Sequence, residues 1–334
     1  MRRVGGLFDR FSSWTNLWRA YRMARQGTRR SRSGAAFFFH LDQELLQLQD
    51  ELLTGSYRPG PLRQFTLHDP KERVISVALF RDRVVHHALV SVLEPIFERV
   101  FIHDSYATRK GKGTHKALLR AQDFLRQARW FLKSDIKSYF PSIDHQTLVE
   151  LVARKVKDRR LMEVVEHVVG WGGRLDKGLP IGNLTSQFLA NVYLDPFDHF
   201  VKRSAHHGRY LRYMDDFVLF APEKSRLKDD LPRLRDFLAD KLKLAIKEEA
   251  TYINQAANGL SFLGARVFTH ALRVKPECLR RSLARIRDKE RLWRIGLLPE
   301  PRFLDTMNGH WQHLQNLDSL ALRRLFLNGV DAGR

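Results

Sequence analysis

Apolar positions along the chain change period several times, and each change marks an element. Trp14, Leu17, Trp18 and Tyr21 recur at helical spacing, so an amphipathic helix opens the chain. Thr28 to Gly34 is a basic, flexible break. Leu41 to Leu53 is a second helix, stopped by Gly55. After Pro59, Gly60 and Pro61 the pattern becomes extended, and the β-branched run Glu72 to Phe80 reads as a strand. Arg81 to Phe101 is helical, with a kink expected at Pro95. A basic glycine loop then leads into a helix capped by Thr114. Trp130 to Asp135 reads as a buried strand, with Pro141 ending the next short segment and helices filling His145 to Val169. GWGGRLDKG is a loop, and a long helix follows Thr185. RYLRYMDDFVLF gives strand, turn, strand; Ser225 to Lys243 is helical; LAIKEEATYI and GLSFLGARVF read as strands. From Pro276 onward Arg and Leu alternate at helical period, a small basic helical lobe. The order strand, helix, strand, strand, helix, strand over residues 130 to 250 is that of a split βαβ, a ferredoxin-like antiparallel sheet in an α+β chain.

Composition narrows the partner. The 334 residues, 43% of them hydrophobic, suffice for a large core and two or three lobes. Lys and Arg number 58 against 37 Asp and Glu, a formal net charge of +21. Such an excess points to a polyanion, nucleic acid before an anionic membrane. Cys278 is the one cysteine, so neither a disulfide nor a cysteine zinc site is expected. His86–His87 and His206–His207 lack the spacing and acidic partners of a metal helix and read as surface or groove residues. No apolar run approaches the ~20 residues of a membrane span, and the N-terminus lacks the apolar core of a signal peptide. A cytoplasmic location is expected.

Within this frame the Asp215–Asp216 pair is out of place. Asp is favoured in hairpin turns, but here Tyr213 and Met214 precede the pair and Phe217 follows it. Adjacent carboxylates held against packed groups repel one another unless cations neutralise them. Asp135 ends another strand. If the two strands are neighbours, Asp135 and Asp215 converge, and three carboxylates with a backbone carbonyl suit hard divalent ions. Two such ions activate an attacking hydroxyl and stabilise a leaving pyrophosphate, the chemistry of nucleotide addition.

These residues resemble a reverse transcriptase. Tyr213–Met214–Asp215–Asp216 matches the family's YxDD hairpin, and Asp135 in SDIKSYFPSID matches its first aspartate motif. The motif order extends over residues 35 to 330. The resemblance implies a right-hand polymerase fold: fingers over 35–129, a palm with the antiparallel sheet over 130–268 (with a fingers insertion near 145–180), and a small helical thumb over 269–334. Residues 1–34 would be a basic, aromatic extension. It implies Asp135, Asp215 and Asp216 as catalytic acids, with Asp135, the carbonyl of Ile136, Asp215 and Asp216 holding two Mg²⁺, or Mn²⁺ in their place. Lys71 and Arg73 match residues that grip the incoming triphosphate, although Lys71 equally fits an exposed strand face. Ser138 and Tyr139 would offer backbone N–H groups. Phe140 matches the aromatic gate that excludes a ribose 2′-OH, or is an ordinary core residue. Lys247 matches a lysine near the leaving pyrophosphate, and Phe262, Leu263 and Gly264 match the primer grip.

One departure sharpens the resemblance. Most of the family carries Gln–Gly before the long helix and Ser–Pro within it; this chain has Ile181–Gly182 and Ser186–Gln187. The I-G-x-x-x-S-Q form resembles the reverse transcriptases of diversity-generating retroelements. Ile181 cannot hydrogen-bond an incoming nucleotide, and apolar sites discriminate less well than polar ones. The resemblance thus implies an error-prone RNA-directed DNA polymerase making mutagenised cDNA from a template-repeat RNA. Its partners would be template RNA, primer or cDNA, dNTPs held at Ile181, Gly182 and Gln187, and a small basic oligomeric accessory protein. The N-terminal aromatic helix and the basic thumb are candidate contacts for that protein, unless the helix packs on its own fingers. Nothing after Gly264 resembles a ribonuclease H or nuclease motif, which argues against a full group II intron protein. Two alternatives stay open: another bacterial reverse transcriptase, of antiphage-defence or group II intron type, and a non-catalytic RNA-binding scaffold.

Overall fold

The computed structural model describes residues 3–26, 32–68, 72–172, 176–315 and 317–320. Its centre is a four-stranded sheet of β3 (Trp130–Asp135), β4 (Tyr210–Tyr213), β5 (Asp216–Ala221) and β6 (Tyr252–Gln255), preceded in the chain by a hairpin of β1 (Arg63–Leu67) and β2 (Arg73–Val77). The strand order is β4-β5-β3-β6 with every pairing antiparallel, as the split βαβ reading requires. Alternation along β5 feeds two cores. Phe217, Leu219 and Ala221 enter the larger, helical one; Val218 and Phe220 enter a second, shared with the Thr114–Arg126 helix and a small sheet of β7 (Leu260–Phe262), β8 (Ala265–Val267) and β9 (Leu272–Val274). The outer edge of β4 is covered: Arg212 N donates to Asp104 O at 2.9 Å and Tyr106 N to Arg212 O at 2.9 Å.

The N-terminal helix Trp14–Arg25 buries Leu17 and Tyr21. Asn16 ties it to the Phe80–Phe97 helix, donating to Ala88 O at 3.2 Å and accepting from Ser91 Oγ at 2.7 Å. It therefore packs on its own molecule, while Trp14 and Trp18 keep an exposed edge. Pro276–Arg294 is the basic helix expected near the C-terminus, and Glu300–Gln315 follows it with Arg302 against two acids, Glu300 and Asp305.

Several expectations need correction. GLSFLGARVF is two strands, because Leu263 (φ +46°) and Gly264 (φ +81°) turn the chain between Phe262 and Ala265, and two consecutive positive φ values make a tight hairpin. LAIKEEATYI is strand only from Tyr252: Glu248–Ala250 is a 3₁₀ turn. The Thr114–Arg126 helix is preceded by Gly113 at its cap; the Thr114 hydroxyl instead donates to Tyr213 OH at 3.1 Å. His86 and His207 are not surface residues. His86 is buried with its ring edge-on to Trp171, and His207 is buried 2.6 Å from Asp230 Oδ2. Part of the expected basic break is the Arg32–Phe39 helix; Thr28 to Ser31 lie outside the described residues, as does part of the GWGGRLDKG loop. No helix among the described residues is long and apolar enough to cross a membrane.

Candidate active site

β4 and β5 meet in a two-residue turn, Met214–Asp215, closed by the Tyr213↔Asp216 pair. Met214 takes φ +57°, an uncommon conformation for a side-chain-bearing residue that its surroundings must hold in place. Two contacts do so. Ile136 N donates to the Asp215 carbonyl at 3.2 Å, which fixes the turn to the end of β3. Arg212 Nη1 donates to the Met214 carbonyl at 2.8 Å. Arg212 is fully buried and is held by Asp198 in a bidentate pair, Nε to Oδ1 at 2.7 Å and Nη2 to Oδ2 at 2.6 Å. Asn191 Oδ1 and Tyr210 OH complete the network.

Asp135 is opposite Asp216 in the β3–β5 register, and both share the sheet face of Lys133. The Asp135 carbonyl accepts from Lys247 N at 2.7 Å, which brings Lys247 to the site with its side chain half-buried. Burial pushes the Asp215 carboxyl above its ordinary value, and the Asp135 charge adds to this, while Arg73 and Arg212 oppose it. Asp215 is therefore within electrostatic reach of both Asp135 and Arg73. Burial also pushes Asp216 up to about 6 against the pull of Lys133, with Asp135 and Asp215 contributing.

Among the described residues no group of three His, Cys, Asp or Glu stands placed to share an ion. Asp216 Oδ1 is 2.8 Å from Lys133 Nζ, an internal cation beside the acid expected to be the third ligand. Asp135 and Asp215 do suit a divalent ion: both are oxygen donors, and their mutual repulsion is of the kind that a bound cation relieves.

The remaining candidates divide. Arg73 opens β2 with an exposed side chain, whereas Lys71 lies outside the described residues. Ser138 (φ +45°) precedes the short Tyr139–Ser142 helix; the Tyr139 side chain is core, its hydroxyl bonded to Ala190 O, so only its backbone is available for binding. Phe140 is half-buried against Tyr139. Ile181 is half-buried, and its carbonyl accepts from Ser76 N at 2.8 Å. Gly182 has φ +116°, and a Cβ there would stand 2.8 Å from Ile75 Cγ2, so the close approach of β2 requires glycine. Gln187 is half-buried, its Oε1 3.5 Å from Thr108 Oγ1. Phe262 anchors the β7–β8 turn in the second core, on the same sheet face as Asp135.

Sequence reasoning missed Asn183, which is buried and clamps β2 to the start of the Leu184–His199 helix. It accepts from Ala78 N at 3.1 Å and donates to Ser76 O at 2.9 Å. It also missed Arg212 and Asp198. The available signal was a charge set among apolar residues in each of RYLRY and YLDPFDHF.

Residues 68–267, more than half of the chain, match the family Reverse transcriptase (RNA-dependent DNA polymerase). The chain belongs to the reverse transcriptase family. It is 29% identical to protein YkfC of Escherichia coli over 270 residues, 67% of this chain and 71% of that protein. It is 25% identical over 295 residues to the group II intron-encoded protein LtrA of Lactococcus lactis, covering 67% of this chain but only 49% of LtrA. Among solved structures, apo telomerase of Candida tropicalis superposes with a TM-score of 0.50 at 13% identity, over 67% of this chain and 50% of telomerase. That likeness supports the right-hand polymerase fold.

Proposed function

We propose that this reverse transcriptase is an error-prone RNA-directed DNA polymerase of the diversity-generating type. The observation that carries polymerase chemistry is the hydrogen bond from Ile136 N to the Asp215 carbonyl, which sets the YMDD turn against the end of β3 beside Asp135. Asp135, Asp215 and the Ile136 carbonyl would hold the divalent ions, with Asp216 as the third acid; when bound, the ions lower the cost of deprotonating the primer hydroxyl and of releasing pyrophosphate. Arg73 neutralises the triphosphate, and the backbone N–H groups of Ser138 and Tyr139 orient it. Phe140 closes the site toward the sugar 2′ position. Lys247, tied through its backbone to Asp135, faces the leaving pyrophosphate. The Phe262–Gly264 turn supports the primer. Fingers (35–129), palm (130–268) and thumb (269–334) are the division that suits these roles, with template RNA, dNTPs and a basic accessory protein as partners.

Error-prone copying rests on Ile181. It occupies the junction of β2 and the Leu184–His199 helix, where a hydrogen-bonding side chain would help judge base-pair shape. A second reading, a group II intron-type enzyme, is favoured by the likeness to LtrA.

Primer extension on a defined RNA with Mg²⁺ tests both levels. Wild type should extend, and Asp215→Asn should lose extension by at least ~10³-fold; equal extension by both would refute the site. Ile181→Gln should lower misincorporation opposite template adenines by roughly tenfold. An unchanged error spectrum would favour the intron-type reading.

A further inference from the structure

A cavity of about 450 Å³ opens beside the C-terminal half of the Leu184–His199 helix, a volume in the range of small-ligand sites. The other end of this helix adjoins Asn183 and the β2 clamp. At 1.5 Å per residue its 16 residues separate the two ends by about 24 Å. The cavity shares no lining residue with the candidate active site.

Three arginines from distant parts of the chain converge on its opening. Arg99 follows the Phe80–Phe97 helix, Arg154 ends the His145–Ala153 helix, and Arg203 stands in the Phe200–Ser204 turn. All three are exposed. Among the described residues, none pairs with their side chains. The Phe200–Ser204 turn is π-helical, with Ala205 N donating to Phe200 O at 3.0 Å; this rare form is frequent at functional sites.

The cavity has no acid free to answer these charges. Asp195 lines it but is buried, its Oδ1 3.4 Å from His199 Nε2, and Lys155 also acts on that carboxylate. The deeper walls, Phe97, Leu151 and Val192, are apolar. A cleft lined by one sign of charge over low-dielectric walls concentrates the field and draws counter-ions. The occupant is therefore anionic, and guanidinium groups match phosphate oxygens two at a time. Val100 and Pro196, both half-buried, add an apolar shelf beside the arginines. A nucleotide supplies a phosphate and a flat, largely apolar body together. An acidic side chain supplies the charge alone and would leave the shelf uncovered.

We propose that this cavity seats one nucleotide of the template RNA outside the copying cleft, with its phosphate on Arg154 and Arg203 and its sugar and base against Val100 and Pro196. On the reverse transcriptase reading, on which this rests, RNA is present before the first nucleotide is added, whereas cDNA of comparable length exists only later. Because Asp195 presents no free edge, the site does not select a base. It grips RNA of any sequence.

Photocrosslinking the full chain in EDTA to an oligouridylate carrying 4-thiouridine, about 40 nucleotides long and so longer than one single-strand site, tests this without the catalytic metals. Crosslinks should fall within residues 97–100 or 151–155. Arg154→Ala with Arg203→Ala should reduce them at least about tenfold and make the slope of log affinity against log salt shallower by about 1.4. Oligoadenylate of the same length should weaken by the same factor as oligouridylate. No crosslink at either segment in wild type, an unchanged salt slope, or a loss confined to one base overturns the proposal. Stronger crosslinking by DNA of the same length also overturns it and assigns the cavity to the product strand. Oligoglutamate that binds wild type but not the double variant, and that RNA does not displace, overturns it in favour of an acidic protein. Wild type that crosslinks at these segments yet extends no primer would place the failure in the polymerase reading and not in the cavity.

Discussion

Arg212 holds the YMDD turn from beneath, and its charge is useful there only because Asp198 is buried with it. Removing one partner of a buried ion pair strands the other, so Arg212→Met should cost about 3–5 kcal/mol in urea unfolding. Arg212→Met with Asp198→Leu should recover much of that stability, since no charge is stranded. Primer extension should stay impaired in both variants, because the Met214 carbonyl loses its donor in each. Restored extension in the double variant would show that the pair stabilises the fold without positioning the turn. The Asp215–Asp216 pair was legible in the sequence because two acids inside an aromatic run have few structural uses. Arg212 and Asp198 were not, since a charge in RYLRY fits a solvent-facing strand position equally well. Their pairing depends on how the Leu184–His199 helix crosses the sheet, which no local period encodes.

Helix ends and strand pairings illustrate the same limit one level up. The Leu41–Thr54 helix ends at Gly55 with φ +73°, as its composition foretold. The Leu263–Gly264 turn was hidden because the apolar run continues through it and a single glycine marks it. Asp144 shows how a cap joins elements distant in sequence. It caps the His145–Ala153 helix through Thr147 N at 2.9 Å and accepts from Lys243 Nζ, just past the Lys224–Leu242 helix, at 2.8 Å. Burial disfavours its charge, but Lys243 and the two Thr147 donors outweigh this and hold the carboxyl at about 2. A carboxyl held below its unfolded value stabilises the fold fully above about pH 4, and that contribution fades as pH falls toward 2. Asn caps a helix about as well as Asp, so Asp144→Asn isolates the charge. The variant should be less stable by roughly 1–2 kcal/mol at pH 7, with the gap closing between pH 4 and pH 2.5 in urea titrations. A gap independent of pH would assign the contribution to shape rather than charge.

At the scale of the whole molecule, the net charge of +21 was readable at once, but the surfaces that use it were not. Arginine counts do not say which side chains are already committed, as Arg212 is to Asp198 and Arg109 to Glu98. On the Pro276–Arg294 helix, Arg280 and Arg287 are exposed two turns apart on one face. If that face tracks a nucleic-acid backbone, each phosphate contact contributes about 0.7 to the slope of log affinity against log salt for a single strand. Arg280→Ala with Arg287→Ala should then make the slope shallower by about 1.4 and weaken every RNA sequence by a similar factor. Fluorescence anisotropy with two unrelated RNAs between 50 and 300 mM salt measures both. An unchanged slope would remove this face from the RNA path, and a loss confined to one sequence would mean that these arginines read bases instead of phosphates. The distinction matters because a polymerase must hold its template while moving along it, and backbone contacts allow this where base-specific ones would arrest it.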